Sequence, residues 1–167
     1  MEKHVVLMSQ IEAQYMAKNL AYNNVAHVSY CRVGLLSYII RLADKMNRYE
    51  NLRLHTDIDK GDEAIEDTLR DAINYVCMLV GDLRADGSEM ADTKNVKETL
   101  KAIRNLASLS EDKIREDASI FTNTHVWERA NGNLGDVPYA LYEQDANIVY
   151  YMYFAAYLIT LYLDRGE

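Results

Sequence analysis

The sequence predicts an all-α protein, a bundle of about five to six helices, and three observations support this prediction. Apolar residues recur three and four positions apart along almost the whole chain, which is the period of an amphipathic helix. The 167 residues include a single proline, Pro138, and seven glycines, so few positions interrupt helices. Hydrophobic residues make up 49% of the chain, enough for one core. We therefore expect one domain over residues 1–167.

The helical pattern is interrupted at a few polar segments, which predict where each helix begins and ends. Turns are expected at Tyr22–Asn24, at Asp57–Gly61 and near Gly87. The predicted helices cover about Glu2–Leu20, Asn24–Asn51, Asp62–Leu83, Asp92 or Thr93 to Leu106, a short stretch to Phe121 opened by a Ser108–Glu111 capping box, and Tyr139–Asp164. The segment Thr122–Pro138 has no clear period. A connection of that length predicts a binding loop or lid.

Charge and cysteine content exclude several classes of protein. The 26 acidic residues exceed the 18 Lys and Arg, for a net charge of -8, which argues against binding to a nucleic-acid polymer through its phosphates. The two cysteines, Cys31 and Cys77, lie within apolar helical patterns and indicate neither a disulfide framework nor a zinc cluster. The four histidines lack metal-ligand spacing. A reducing, cytoplasmic location is the resulting expectation.

The most apolar segment, Ile148–Leu163, tests whether the chain enters a membrane. It has 16 residues without a charge, fewer than the roughly 20 that span a bilayer. We therefore expect a buried helix and no membrane partner. Because this helix is apolar on all sides and the second helix on two, we also expect a homo-oligomer.

An acidic row on the third predicted helix is not explained by the core. Glu63, Asp67 and Asp71 lie one above another at helical spacing, and Asn74 continues the row. If the second and third helices pair in antiparallel fashion, Asp44 approaches the same level. Converging carboxylates suit Mg²⁺ or Mn²⁺. The alternative is a solvated acidic face with nearby cations.

The same two helices carry a resemblance to a known family. The segments Arg41-Leu-Ala-Asp-Lys-Met-Asn-Arg-Tyr-Glu-Asn-Leu52 and Asp62-Glu-Ala-Ile-Glu-Asp-Thr-Leu-Arg-Asp71 resemble the nucleotide modification associated domain family of small phage and bacterial proteins. The resemblance covers about residues 31–83, and residues 84–167 form a C-terminal helical extension. More distantly, the helix pair is similar to MazG-like all-α nucleoside triphosphate pyrophosphohydrolases. Asp71 matches the Asp of the second MazG-like motif, whereas Thr68 stands where that motif has Glu.

The resemblance implies an Mg²⁺-dependent hydrolase that acts on nucleoside triphosphates or modified deoxynucleotides. Asp44, Glu63, Asp67 and Asp71 would be its metal ligands and catalytic residues. The candidate substrate-binding residues are Lys45, Arg48, Asn51, Asn74, Trp127 and Arg129, which offer cations for phosphate, amides for a base edge and an aromatic ring for stacking. Fewer carboxylates than in the MazG-like enzymes favour an alternative, a nucleotide-binding or sequestering protein without turnover. A helical assembly subunit is the third possibility.

Overall fold

The computed structural model describes residues 2–19, 24–55, 61–85, 93–145 and 147–165. These ranges are helical and contain no strand, so the all-α prediction is confirmed. The helices are α1 (Lys3–Gln14), continued by a π-helical segment (Tyr15–Asn19), α2 (Val25–Val33), α3 (Leu36–Leu54), α4 (Gly61–Ala85), α5 (Lys94–Ser108), α6 (Glu111–Thr122), α7 (His125–Ala130), a 3₁₀ turn (Leu134–Asp136), α8 (Val137–Glu143) and α9 (Ile148–Leu163).

Helix α4 lies at the centre of the bundle. It packs against α3, α5 and α9, and also touches α1 and α2. Leu69, Ile73, Val76 and Val80 on α4 are fully buried, as the apolar period predicts. Helix α3 runs antiparallel to α4, because Tyr38 near its start meets Asp82 and Lys45 further along meets Asp71.

The second predicted helix is wrong in one respect, because the structure divides it at Gly34. This residue has φ +80°, a conformation that glycine adopts readily and other residues rarely. Its N–H still donates a hydrogen bond to Tyr30 O, which completes the last turn of α2. The break leaves Val33 68% exposed and Ile40 46% exposed on either side of it.

The predicted loop 122–138 is also wrong, because the structure contains α7, the 3₁₀ turn and the start of α8 there. The Thr124 hydroxyl caps α7 by accepting from Trp127 N at 3.4 Å. The left-handed residue Asn131 ends α7. The Asn133 side chain then accepts from Gly135 N at 2.9 Å and starts the 3₁₀ turn. These elements are too short to show a helical period in the sequence.

Two further boundaries differ from the prediction. Ser110, rather than Ser108, caps α6, by accepting from Lys113 N at 3.1 Å. The last predicted helix is two helices, α8 and α9, and Asn147 caps α9. In the described ranges no helix has the length and apolar character needed to cross a membrane. The turns predicted at residues 57–60, at Tyr22 and Asn23, and at Gly87 lie outside the described residues.

Candidate functional site

Asp71 on α4 is held by side chains from two other helices. Its Oδ2 accepts from Lys45 Nζ of α3 at 3.0 Å, and its Oδ1 accepts from Gln14 Nε2 of α1 at 2.7 Å. The Lys45 and Asp71 side chains are 28% and 31% exposed. The antiparallel pairing of α3 and α4 therefore brings a lysine to Asp71, so the carboxylate charge is already balanced.

Asp71 lies beside a polar cavity between α1, the π segment and α4. The cavity has a volume of about 180 Å³. Its lining consists of Gln14, Lys18, Asn19, Asp71, Asn74 and Tyr75. Asn74, one turn beyond Asp71, is 4% exposed, and its Oδ1 is buried with no hydrogen-bond partner in the described part of the chain.

A second cavity of about 240 Å³ adjoins the first and shares two of its walls, Asn19 and Tyr75. Val25, Ala26 and Arg41 form the rest of its lining. Arg41 donates from Nη2 to Ser29 Oγ at 3.2 Å. Its Nη1 is buried and meets no acceptor among residues 2–19, 24–55, 61–85, 93–145 and 147–165. We call the two cavities together the Tyr75 cleft, because the half-buried Tyr75 lines both of them.

The other predicted acidic residues stay at the surface. Asp44, Glu63 and Asp67 are exposed, and Asp67 Oδ1 accepts from Arg70 Nη1 at 2.9 Å. No three His, Cys, Asp or Glu side chains of the described ranges come together as a group that could hold a metal ion. Mg²⁺ needs carboxylate oxygens directed at the metal, whereas both oxygens of Asp71 already accept hydrogen bonds. The assignment of the four acids as metal ligands stays a prediction.

The remaining predicted substrate-binding residues do not line the Tyr75 cleft. Arg48 is exposed on α3. Asn51 lines a separate open groove of about 390 Å³, together with Asn131 and Asn133. Arg129 pairs with Glu143 at 2.6 Å. Trp127 packs its ring against Tyr157, with centroids 5.0 Å apart, so it anchors α7 to α9.

Sequence reasoning missed several residues of the cleft. Arg41 lies one turn before Lys45 on the same side of α3, a spacing that could have revealed it. Tyr75 lies one turn after Asp71 on the same side of α4 and could have been found by the same spacing. Gln14 and Lys18 come from the first helix and the π segment, and no pattern in the chain indicates that this part covers α4.

A buried polar cluster behind the cleft was also missed. Asp82 on α4 is fully buried, accepts a hydrogen bond from the Tyr38 hydroxyl, and lies 2.5 Å from His27 Nδ1 of α2. Burial raises the pKa of Asp82, and the hydrogen bonds from Tyr38 and His27 oppose this shift. An aspartate within the apolar run Val76–Leu83 was the available signal. The cluster ties α2 and α3 to α4.

Compared with protein-family models, with curated proteins and with solved structures, the chain shows no significant match to any of them. The resemblance to the nucleotide modification associated domain family therefore stays a prediction.

Proposed function

We propose that the protein binds a nucleotide in the Tyr75 cleft and that this binding does not require a metal ion. The observation that carries the proposal is Arg41, whose Nη1 is buried without an acceptor at the wall of the cleft. A buried guanidinium donor without a partner costs free energy that a bound anion restores. A phosphate group suits this donor because its oxygens accept charge-assisted hydrogen bonds.

The aromatic wall of the cleft supports a nucleotide rather than a simple anion. Tyr75 lines both cavities, and stacking of a base on an aromatic ring contributes about 1–3 kcal/mol. Lys18 adds a second cation to the lining. Because Lys45 neutralises Asp71, no carboxylate of the cleft wall is left to repel phosphate. A local excess of positive charge thus forms within a chain whose net charge is -8.

The experiment is isothermal titration calorimetry of the purified protein with nucleosides and with their 5′-monophosphates, in EDTA and again in Mg²⁺. We expect monophosphates to bind more tightly than nucleosides in EDTA. Arg41→Gln should remove that difference. Arg32→Gln, which removes an equal charge from an exposed position on α2, is the matched control. Nucleotide binding that requires Mg²⁺, or that survives Arg41→Gln unchanged, would contradict the proposal.

Mg²⁺-dependent hydrolysis of nucleoside triphosphates is the second candidate function. Glu63 and Asp67 favour it, because both are exposed on α4 at helical spacing from Asp71. Exposed carboxylates can bind Mg²⁺ or Mn²⁺ together with a polyphosphate. Chromatography of nucleotides after incubation tests it directly. Product that forms only with metal, and that Asp67→Asn abolishes, would make the protein an enzyme. If the nucleotides were recovered intact, hydrolysis would be excluded and binding without turnover would remain.

We further propose that copies of the chain associate through the apolar surface around Gly34. Val33, Leu36 and Ile40 are all exposed close to Gly34 in the chain, and exposed apolar side chains that cluster are typical of a protein interface. Light scattering after size-exclusion chromatography should show more than one chain per particle, and Val33→Asp should lower that mass. A monomeric wild-type protein would contradict this part.

A further inference from the structure

Asn74 has an unmet hydrogen-bonding requirement at the floor of the Tyr75 cleft. Only 4% of the residue is exposed, and its Oδ1 has no partner within the described ranges. An unpaired buried acceptor is costly, and Asn74 also lines a cavity that a ligand can enter. The terminal torsion of an asparagine is soft, so a small rotation presents this oxygen to a molecule in the cavity.

Two donors beside Asp71 bind that carboxylate rather than Asn74. Gln14 Nε2 donates to Asp71 at 2.7 Å, and Lys45 Nζ donates to the same carboxylate at 3.0 Å. No donor of the described ranges bonds to Asn74 Oδ1, so a donor on a bound ligand can meet this oxygen. An amide oxygen accepts from N–H and O–H donors, and an exocyclic amino group is such a donor on a nucleotide base.

The two unpartnered atoms of the cleft are complementary to the two ends of one ligand. Arg41, whose Nη1 is an unpartnered donor, lines one cavity, and Asn74, whose Oδ1 is an unpartnered acceptor, lines the other; Tyr75 lines both. We propose that the cleft selects nucleotides whose base carries an exocyclic amino group, with the amino group donating to Asn74 while the phosphate meets Arg41. This inference rests on the proposed nucleotide binding and adds base selectivity to it.

The test compares monophosphates that differ only in the amino group. Three pairs of 5′-monophosphates are compared: those of adenosine and purine riboside, of guanosine and inosine, and of cytidine and its 4-deamino analogue. For the base that binds most tightly, we expect loss of the amino group to weaken binding about tenfold or more, because Asn74 is then left unpaired beneath a bound ligand. Calorimetry gives both dissociation constants.

Asn74→Leu separates recognition from packing. Leucine has a similar size and removes the unpaired oxygen, so the unliganded variant should melt at the same or a higher temperature. In this variant the two members of the chosen pair should bind equally. Asn95→Leu is the matched control, because Asn95 is also buried with an unpartnered Oδ1 but lies on α5 beside Gly81. It should preserve the tenfold preference.

Each outcome of the test decides the question. Tightest binding by a base without an amino group, or equal binding within every pair, would overturn the selectivity and leave nucleotide binding intact. A preference that persists in Asn74→Leu would overturn the role of Asn74. Failure of every nucleotide to bind wild-type protein would overturn both the selectivity and the proposed function.

Discussion

Two glycine-to-alanine substitutions test how closely the helices pack. The added Cβ atom overlaps its nearest neighbour equally at both positions, but we expect the two substitutions to have different effects on stability. A Cβ atom on Gly81 of α4 would lie 2.1 Å from Thr99 Oγ1, 2.8 Å from Thr99 N and 2.9 Å from Asn95 O of α5. A Cβ on Gly135 would also lie 2.1 Å from its nearest neighbour, Asn47 Oδ1. The Gly81 contacts include backbone atoms, whereas the Gly135 contacts belong to one exposed side chain.

Gly81→Ala should therefore destabilise the protein, and Gly135→Ala should not. Overpacking that shifts the backbone lowers the free energy of unfolding by about 1–3 kcal/mol or more. The higher helix propensity of alanine relative to glycine offsets about 1 kcal/mol of this loss. We expect a net loss of about 2 kcal/mol for Gly81→Ala, which corresponds to a melting temperature lower by about 4–8 °C in a chain of this size. In Gly135→Ala, the Asn47 side chain can turn away from the new methyl group at a cost below about 0.5 kcal/mol.

Urea denaturation followed by circular dichroism measures both free energies of unfolding. Thr99→Ala combined with Gly81→Ala should recover only part of the loss, because Thr99 N and Asn95 O remain in place. Equal stability of the two alanine variants would refute the reasoning that the α4–α5 contact is a backbone contact. Full recovery in the double variant would place the whole effect in the Thr99 side chain.

Three further predictions concern charged and reactive groups. A double-mutant cycle of Lys45→Gln and Asp71→Asn should give a coupling below about 1 kcal/mol, because the pair is partly exposed; a coupling of several kcal/mol would contradict this. Burial raises the pKa of Asp82 above 3.8, so folded wild-type protein holds a proton that the unfolded chain has lost, and its stability falls as pH rises through this range. Asp82→Asn has no such proton. In urea denaturation at several pH values, its free energy of unfolding should therefore rise relative to that of wild type as pH rises, and a constant difference would contradict this. A disulfide reagent should label one thiol in the folded chain and two in urea, because burial raises the pKa of Cys77 to about 12 while Cys31 is partly exposed; two rapidly labelled thiols in the folded chain would contradict the burial of Cys77.

The long helices could be predicted from the sequence because each carries several turns of apolar period. Helix α4 has its core face where the period places it, with Leu69 and Val76 fully buried. The segment 122–138 could not be predicted in this way, since α7 and α8 have 6 and 7 residues. Two turns of helix are too few to distinguish a period from chance. Their structure depends on local caps such as Thr124 and on contacts with α3 and α9.

The break at Gly34 shows a different limit. The apolar pattern on either side of it continues in phase, so the period alone predicts one helix. Only the backbone angle of Gly34, φ +80°, ends α2 and turns the chain. A single glycine within a helical pattern is compatible with either outcome, and tertiary contacts decide between them.

The candidate site was predicted in part. Antiparallel pairing of two helices across a short connection correctly brings the middle of α3 to Asp71, but the residue that arrives is Lys45. A shift of one residue on a helix turns the side chain by about 100°, so a register that is nearly right can exchange a carboxylate for an ammonium group. That exchange changes the chemistry of the site from a carboxylate cluster to an ion pair.

Helix α4 carries both the cleft and the polar cluster behind it, and this arrangement bears on how the cleft binds. Asp71 is joined to α1 and α3, and Asp82, about three turns further along, is joined to α2 and α3. Two such attachments on one rigid helix restrict both its rotation and its translation. Asn74 and Tyr75 lie between them, so their backbone positions are set before a ligand arrives. A site organised in advance loses less conformational entropy on binding, which is why we expect discrimination between bases that differ by one amino group.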